Sequence, residues 1–171
     1  MKNFKYIFLI LLTIPFIGKS QDSKIKWLTI DQALQASETT PKKILIDVFT
    51  DWCGWCKVMD SKTFTNPEIV KYVNDNFYAV KLNAEKQGTF TYKGKEYKLL
   101  SNNGRSMHEW VLAISNGNIS YPTIAYLDEN QDVLTLVPGF QKPEQLLPVL
   151  KYLKEDKYKT TKFEDYLKQQ K

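Results

Sequence analysis

The feature that most constrains the fold is a short, nearly continuous apolar run, KILIDVF, at residues 43–49. A run without polar alternation is typical of a central strand that is covered by helices on both faces of a sheet. A second strand-like stretch, FYAVKLNAE, covers residues 77–85, and two helical stretches lie between the two runs. Strand, helix and strand in this order predict a parallel βαβ unit with a right-handed crossover, and therefore an α/β domain.

The only two cysteines, Cys53 and Cys56, follow the first strand directly, in the stretch DWCGWCK. With a single distant histidine, His108, they supply at most three soft ligands, short of the four that a structural zinc site uses. We therefore expect no metal and no cofactor. Two interpretations remain open at this point: a thiol pair that exchanges electrons with a substrate, or an inert disulfide in a binding or scaffold module.

The first 20 residues have the pattern of a cleaved secretory signal peptide. Lys2 and Lys5 precede an apolar run over residues 6–17, and Gly18 and Ser20 are the small residues expected at a cut after Ser20. The apolar run is short for a membrane span, although an uncleaved anchor is the alternative. We expect export to the periplasm or the extracellular space, and one domain over residues 21–171.

Export also changes the charge of the chain. Removing residues 1–20 removes three lysines and no acidic residue, so the net charge falls from +5 to +2. No basic stripe with interleaved aromatic residues occurs elsewhere, and we expect no nucleic-acid partner. Outside the cytoplasm, a pair of neighbouring thiols forms a disulfide unless another protein keeps it reduced.

The remaining stretches predict elements with recognisable ends. Thr29 and Gln32 have capping-box spacing, Asn66 and Pro67 begin a helix, and Thr161 with Glu164 gives the last short helix a capping box. We expect an irregular insert at about 86–120, with a hairpin turn at Lys93–Gly94 and a helix at 106–115. After it we expect two strands within 121–139, joined by a turn at 129–131, and a helix at 142–156. A C-terminal extension follows at about 157–171.

Taken together, these stretches resemble a thioredoxin fold over roughly residues 25–156. The motifs that carry the resemblance are ILIDVFTDWCGWCK, VKLNAE, YPTIAYLD and VPGF, in the order that the family has them. The stretch DWCGWCKVMDSKTFTNPEIV is similar to exported proteins of the DsbD C-terminal-domain type. The resemblance implies a central mixed β-sheet flanked by helices, with the insert before a cis-proline strand.

The resemblance also implies roles for the residues around the cysteines. Cys53 is the expected nucleophile, at a helix N-terminus with its sulfur outward, and Cys56 is the resolving thiol one turn further on. Asp47 lies six residues before Cys53, at the position of the buried acid that takes the proton from the resolving thiol. Lys57 either modulates the site by pairing with Asp47 or is an exposed helix residue.

Substrate contacts are implied on both sides of the cysteines. Tyr121–Pro122 is expected to be a cis peptide bond, and Tyr121 to pair with the backbone of an extended substrate. Trp52 is expected beside the active site. Trp55 is expected either to be exposed for contact with a peptide or to be partly buried under the insert. His108 is predicted at the surface, and the insert aromatic residues are predicted to form a small core of their own: Phe90, Tyr92, Tyr97 and Trp110.

The sequence thus predicts an exported thiol-disulfide oxidoreductase that reduces or isomerises disulfides of protein or peptide substrates through a mixed disulfide. A membrane-embedded thiol partner is the expected electron donor. A dedicated oxidant fits less well, because proteins of that type usually carry a histidine between the cysteines.

Overall fold

A computed structural model describes residues 23–170 of the chain. In chain order the elements are β1 (Trp27–Leu28), α1 (Ile30–Thr39), β2 (Lys43–Phe49), α2 (Gly54–Lys62), α3 (Pro67–Asn76), β3 (Phe77–Asn83), β4 (Phe90–Tyr92), β5 (Lys95–Tyr97), β6 (Leu99–Asn102), β7 (Arg105–His108), α4 (Glu109–Ser115), β8 (Thr123–Leu127), β9 (Val133–Pro138), α5 (Pro143–Lys154), a 3₁₀ turn (Lys157–Lys159) and α6 (Phe163–Gln169). The predicted signal peptide, residues 1–20, lies outside the described residues.

The central sheet is mixed and has the strand order β1-β3-β2-β8-β9. Strands β1, β3 and β2 run parallel, which confirms the predicted βαβ unit, and β8 and β9 are antiparallel to their neighbours. Strand β2 occupies the centre, and its residues from Lys43 to Val48 are all buried. This strand is covered on both faces, as predicted, and that explains its nearly continuous apolar sequence at 43–49.

Alternating side chains of the sheet supply two hydrophobic clusters, one on each face. Ile44, Ile46 and Val48 pack with residues of α1 and α4. On the other face, Leu45 packs with residues of α2, α3 and α5, among them Met59 and Leu150. The central sheet therefore holds α2, which begins at the cysteines, against the same face on which Asp47 lies.

Local capping signals set the start of two helices as predicted. Thr29 and Gln32 form the reciprocal capping box of α1, and the Asn66 side chain accepts hydrogen bonds from the backbone of Glu68 and Ile69 at the start of α3. The predicted capping box at Thr161 is wrong. The last helix begins one residue later, with Lys162 as its N-cap and no side-chain cap, because the Thr161 amide donates to the carbonyl of Lys157 instead.

The insert forms two hairpins where the sequence predicted one. β4 and β5 pair around Lys93 and Gly94, which both have positive φ, as the predicted turn requires. β6 and β7 form a second hairpin around Asn103 and Gly104. The helix predicted at 106–115 is therefore shorter than expected, because its first three residues pair with β6.

The prediction that His108 lies at the surface is wrong. His108 is fully buried, its ring stacks on Phe90 with 4.8 Å between centroids, and its Nδ1 accepts a hydrogen bond from the Trp110 amide at the start of α4. Burial lowers the pKa of His108 and so favours the neutral ring.

The aromatic residues of the insert do not form a separate core. Phe90, Tyr92 and Trp110 are buried in the same cluster as Ile30 and Ile46, so the insert extends the main core on that face. At the C-terminus, Phe163 and Tyr166 pack against Tyr152 of α5, with ring centroids 5.0 and 5.2 Å apart. Within residues 23–170, no helix combines the length and apolar character that crossing a bilayer requires.

Candidate active site

Cys53 and Cys56 form a disulfide at the N-terminus of α2. Cys53 is the N-cap residue, and its Sγ accepts a hydrogen bond from the Cys56 amide at 3.1 Å. Unpaired N–H groups and the helix dipole at such an end stabilise a negative charge on sulfur. The expected outward position of the Cys53 sulfur does not hold in this disulfide form, in which Cys53 is only 4% exposed.

Asp47 lies in the middle of β2 and is almost completely buried. Its Oδ2 accepts a hydrogen bond from Lys81 Nζ at 2.7 Å, whereas its Oδ1 has no hydrogen-bond partner among residues 23–170. Burial raises the pKa of Asp47 to about 6, and the nearby Lys81 charge limits that rise. A carboxyl group with this pKa exchanges a proton near neutral pH, as a general base must.

Lys57 does not pair with Asp47. It lies exposed on α2, so the structure decides between the two interpretations that the sequence left open. The cation that contacts Asp47 is Lys81 of β3, which is opposite Asp47 in the parallel register. Lys81 Nζ also contacts the carboxylate of Asp60 on α2.

The Tyr121–Pro122 peptide bond is cis, as expected, and it leads directly into β8. The Pro122 carbonyl accepts a hydrogen bond from the Gly139 amide at 2.7 Å. The Tyr121 hydroxyl donates to Met107 Sδ at 3.4 Å, and its ring meets Trp52 edge-on, with centroids 5.8 Å apart.

Both tryptophans beside the cysteines are exposed. Trp52 is 66% exposed, and its Nε1 donates to the Glu85 carboxylate at 2.9 and 3.0 Å from the two oxygens. Trp55 is 62% exposed and packs against Phe140, with ring centroids 5.5 Å apart. Of the two positions predicted for Trp55, the exposed one is therefore correct.

The family model of the Thioredoxin-like domain matches residues 30–154 of this chain. The chain belongs to the thioredoxin-like family. This confirms the predicted family and fold.

Solved structures that resemble this thioredoxin-like chain agree on the fold. They include a DsbH oxidoreductase (14% identity, TM-score 0.57, covering 88% of this chain and 95% of that one). A thioredoxin-fold protein from Helicobacter pylori has 23% identity and a TM-score of 0.55, with coverage of 75% and 83%. A putative disulphide-isomerase from Bacteroides thetaiotaomicron has 24% identity and a TM-score of 0.52, with coverage of 79% and 95%.

One curated relative is similar over a short part of the thioredoxin-like chain. An uncharacterized protein of Caenorhabditis elegans is 32% identical over 74 residues, which is 43% of this chain. The matched part spans only 10% of the length of that protein.

A shallow cleft of about 380 Å³ opens beside the disulfide of this thioredoxin-like protein. It is lined by the rings of Trp55 and Phe140, by the Tyr121–Pro122 segment and by Gly139. The cleft brings together residues from α2, from the cis-proline segment and from the loop after β9. Such a cleft can hold an extended polypeptide against the cis-proline backbone while an apolar side chain contacts the two rings.

Four residues of the site were missed by sequence reasoning: Lys81, Asp60, Glu85 and Phe140. Lys81 carried a signal, since it is the one cation inside the apolar strand β3 and pairs in register with Asp47. The other three come from α2 or from loops; each lies inside one of the motifs that carry the family resemblance, but no spacing within those motifs shows that it meets the site. Within residues 23–170, no three histidine, cysteine or acidic side chains are grouped so as to hold a metal ion.

Proposed function

We propose that this chain is an exported thiol-disulfide oxidoreductase that reduces or isomerises disulfides in protein substrates. The observation that carries the proposal is a Cys53–Cys56 disulfide at a helix N-terminus, on the same face of the sheet as the buried carboxyl group of Asp47. An inert structural disulfide needs neither a helix N-terminus for a thiolate nor a buried acid with a raised pKa.

The reaction begins from the reduced protein. The Cys53 thiolate attacks one sulfur of a substrate disulfide, forms a mixed disulfide, and releases the other substrate sulfur as a thiolate. The helix N-terminus supports the negative charge on Cys53 before the attack. At this stage one substrate sulfur is reduced to a thiolate, and the other is still bonded to Cys53.

The second step releases the substrate. Cys56 loses its proton and attacks Cys53 Sγ, so that the Cys53–Cys56 disulfide forms and the second substrate sulfur leaves as a thiolate. In total, two electrons pass from the protein dithiol to the substrate disulfide. We assign to Asp47 the removal of the Cys56 proton, because its raised pKa makes it a sufficient base near neutral pH.

Lys81 and Asp60 act through Asp47 and not on the sulfur atoms. The ammonium group of Lys81 favours ionised Asp47, and the negative charge of Asp60 has the opposite effect on the Asp47 pKa. The balance of these two neighbours and burial sets the proton affinity of Asp47. They are positioning residues in this proposal.

Substrate recognition is assigned to the cleft. The backbone of Tyr121 pairs with an extended substrate segment, because a proline that opens β8 leaves the neighbouring strand edge incomplete. Trp52 and Trp55 contact side chains on the two sides of the target disulfide. Because each catalytic cycle leaves the protein oxidised, a thiol partner must return two electrons. We propose a membrane-embedded donor for an exported protein of this kind.

Trapping tests the proposal. The Cys56→Ser variant should accumulate a mixed disulfide with a disulfide-bonded substrate such as insulin, whereas Cys53→Ser should form none. Reduction of insulin by the unmodified protein with dithiothreitol should be faster than reduction by either variant, because each variant lacks one of the two sulfur atoms of the cycle. If no mixed disulfide forms and insulin is not reduced, the chain is a binding module with an inert disulfide.

The direction of electron flow has its own measurement. Thiol trapping in glutathione or dithiothreitol buffers gives the reduction potential of the cysteine pair. A value near about −270 mV supports a reductant, and a value near about −120 mV would make the protein a disulfide donor. N-terminal sequencing of the secreted protein tests export, with Gln21 as the expected first residue.

A further inference from the structure

The second hairpin of the insert builds a groove beside Trp52. The groove has a volume of about 690 Å³ and lies between that ring and the side chains of β6, β7 and α4. Its lining includes three apolar side chains, Leu100, Met107 and Leu112, together with the exposed Arg105. Leu100 is 40% exposed, so its side chain is accessible from the solvent side of the groove.

The groove is continuous with the residues that surround the disulfide. Trp52 is the residue before Cys53 and is shared between the groove and the active site. Tyr121 links the two from the other side, because its ring meets Trp52 and its hydroxyl bonds Met107. A polypeptide bound along the cis-proline segment would therefore reach the groove within a few residues of its reactive cysteine.

The two charged side chains that line the groove, Glu85 and Arg105, differ in their contacts. Glu85 accepts hydrogen bonds from Trp52 Nε1 at both carboxylate oxygens, which fixes it against that ring and leaves its negative charge in place. Arg105 is exposed and forms no ion pair with any residue from 23 to 170. Beside that carboxylate, the groove therefore offers apolar side chains and one guanidinium group without an ion-pair partner among the described residues, and a guanidinium group pairs well with a carboxylate.

We propose that this groove binds the segment of a protein substrate that flanks its reactive cysteine, with an apolar side chain against Leu100, Met107 and Leu112 and an acidic side chain at Arg105. The inference rests on the proposed function and adds a substrate preference to it. It also gives the insert a role: the second hairpin selects among polypeptides that the cleft beside Trp55 would accept alike.

Peptide disulfides test the preference. Short peptides with a single cysteine are joined as symmetric dimers and differ only in whether a leucine near the cysteine is followed by aspartate or by lysine. The measured quantity is the second-order rate constant with which each dimer oxidises the reduced protein, followed by thiol trapping. The acidic dimer should react about threefold faster or more, the size expected of one exposed ion pair.

Two substitutions at one position and one matched control make the result specific. Arg105→Glu should invert the preference, so that the basic dimer becomes the faster one, and Arg105→Lys should retain the original order. Lys98→Glu, an exposed residue of the same insert outside the groove, makes the same change in net charge and should leave the ratio of the two rates unchanged. If Arg105→Glu leaves the ratio unchanged, or if Lys98→Glu inverts it, the proposal is wrong.

Failure of the groove and failure of the enzyme are separable. Oxidation of the unmodified reduced protein by a small uncharged disulfide, hydroxyethyl disulfide, reports on the cysteine pair alone. If that reaction occurs and all peptide dimers react equally, only the groove proposal falls; if it does not occur, the proposed function falls first. If the protein is a dimer that Arg105→Glu separates without changing the peptide ratio, the groove is an interface between two copies and the substrate assignment is overturned.

Discussion

Replacing Asp47 with asparagine should make the oxidised protein more stable at neutral pH while slowing its proposed reaction. Asp47 is 1% exposed, and its pKa rises from 3.8 to about 6 on folding, chiefly because burial disfavours the ionised form. The folded state therefore holds the proton more tightly than the unfolded state does. Native stability from this group is fully present below about pH 4 and is lost as the pH rises through about 6.

The magnitude follows from the shift. At about 1.4 kcal/mol per pKa unit, a rise of roughly two units means that ionised Asp47 lowers the free energy of unfolding by about 3 kcal/mol above pH 7. Asparagine resembles the protonated acid in shape and stays neutral at every pH. The stability difference between Asp47→Asn and the unmodified protein should therefore be near zero at pH 4 and reach about 3 kcal/mol in favour of the variant at pH 7.

Urea unfolding of the oxidised proteins, followed by circular dichroism at pH 4, 5, 6, 7 and 8, gives this difference directly. Asp165→Asn is the matched control, since Asp165 is an exposed carboxylate on α6 paired with Lys168 at 2.8 Å. That control should change the free energy of unfolding by less than about 1 kcal/mol throughout the series. A difference for Asp47→Asn that does not depend on pH, or a variant less stable at pH 7, would refute the assignment of the raised pKa to burial.

Two further predictions concern other buried polar groups. Lys43 is buried and bonds Glu129 at 2.7 Å and Asp156 at 2.9 Å. Lys43→Met should change the free energy of unfolding by no more than about 1 kcal/mol, because the two carboxylates are 36% and 42% exposed and stay hydrated without their partner. Glu129→Gln combined with Asp156→Asn leaves the buried ammonium group without a counter-charge and should cost about 3–5 kcal/mol. Equal losses in the two urea titrations would contradict this reasoning. The buried Tyr126 hydroxyl has no hydrogen-bond partner among the described residues. Tyr126→Phe should therefore be neutral or stabilise the protein by up to about 1 kcal/mol, as measured by thermal unfolding. A clear loss of stability would contradict this and show that the hydroxyl makes a hydrogen bond.

The opposing effects expected at Asp47 have one physical origin. A carboxyl group that must remove a proton near neutral pH has to be held where its ionised form is disfavoured, and that placement weakens the fold. Lys81 offsets part of the cost through its hydrogen bond to Oδ2, and its ammonium group is itself held over the rings of Phe49 and Trp27, 4.7 and 5.3 Å from their centroids.

Signals that act over a few residues were sufficient for much of the fold. The apolar run at 43–49 predicted the central strand, and the caps at Thr29 and Asn66 predicted where two helices begin. The spacing of Cys53 and Cys56 after that strand, with the proline of YPTIAYLD, predicted a thioredoxin-like chain. The strand and the two caps depend on backbone geometry within a single element, which a short stretch of sequence shows, whereas the family came from the resemblance of several motifs in their order along the chain.

Only the tertiary structure decided which distant side chains meet. The partner of Asp47 is Lys81 and not the nearby Lys57, because the parallel register of β2 and β3 places Lys81 opposite Asp47. His108 is buried because the second hairpin delivers it to Phe90, and the groove beside Trp52 exists only once that hairpin has folded against α4. Pairing between strands far apart in the chain is fixed by the packing of the whole core, and no local pattern encodes it.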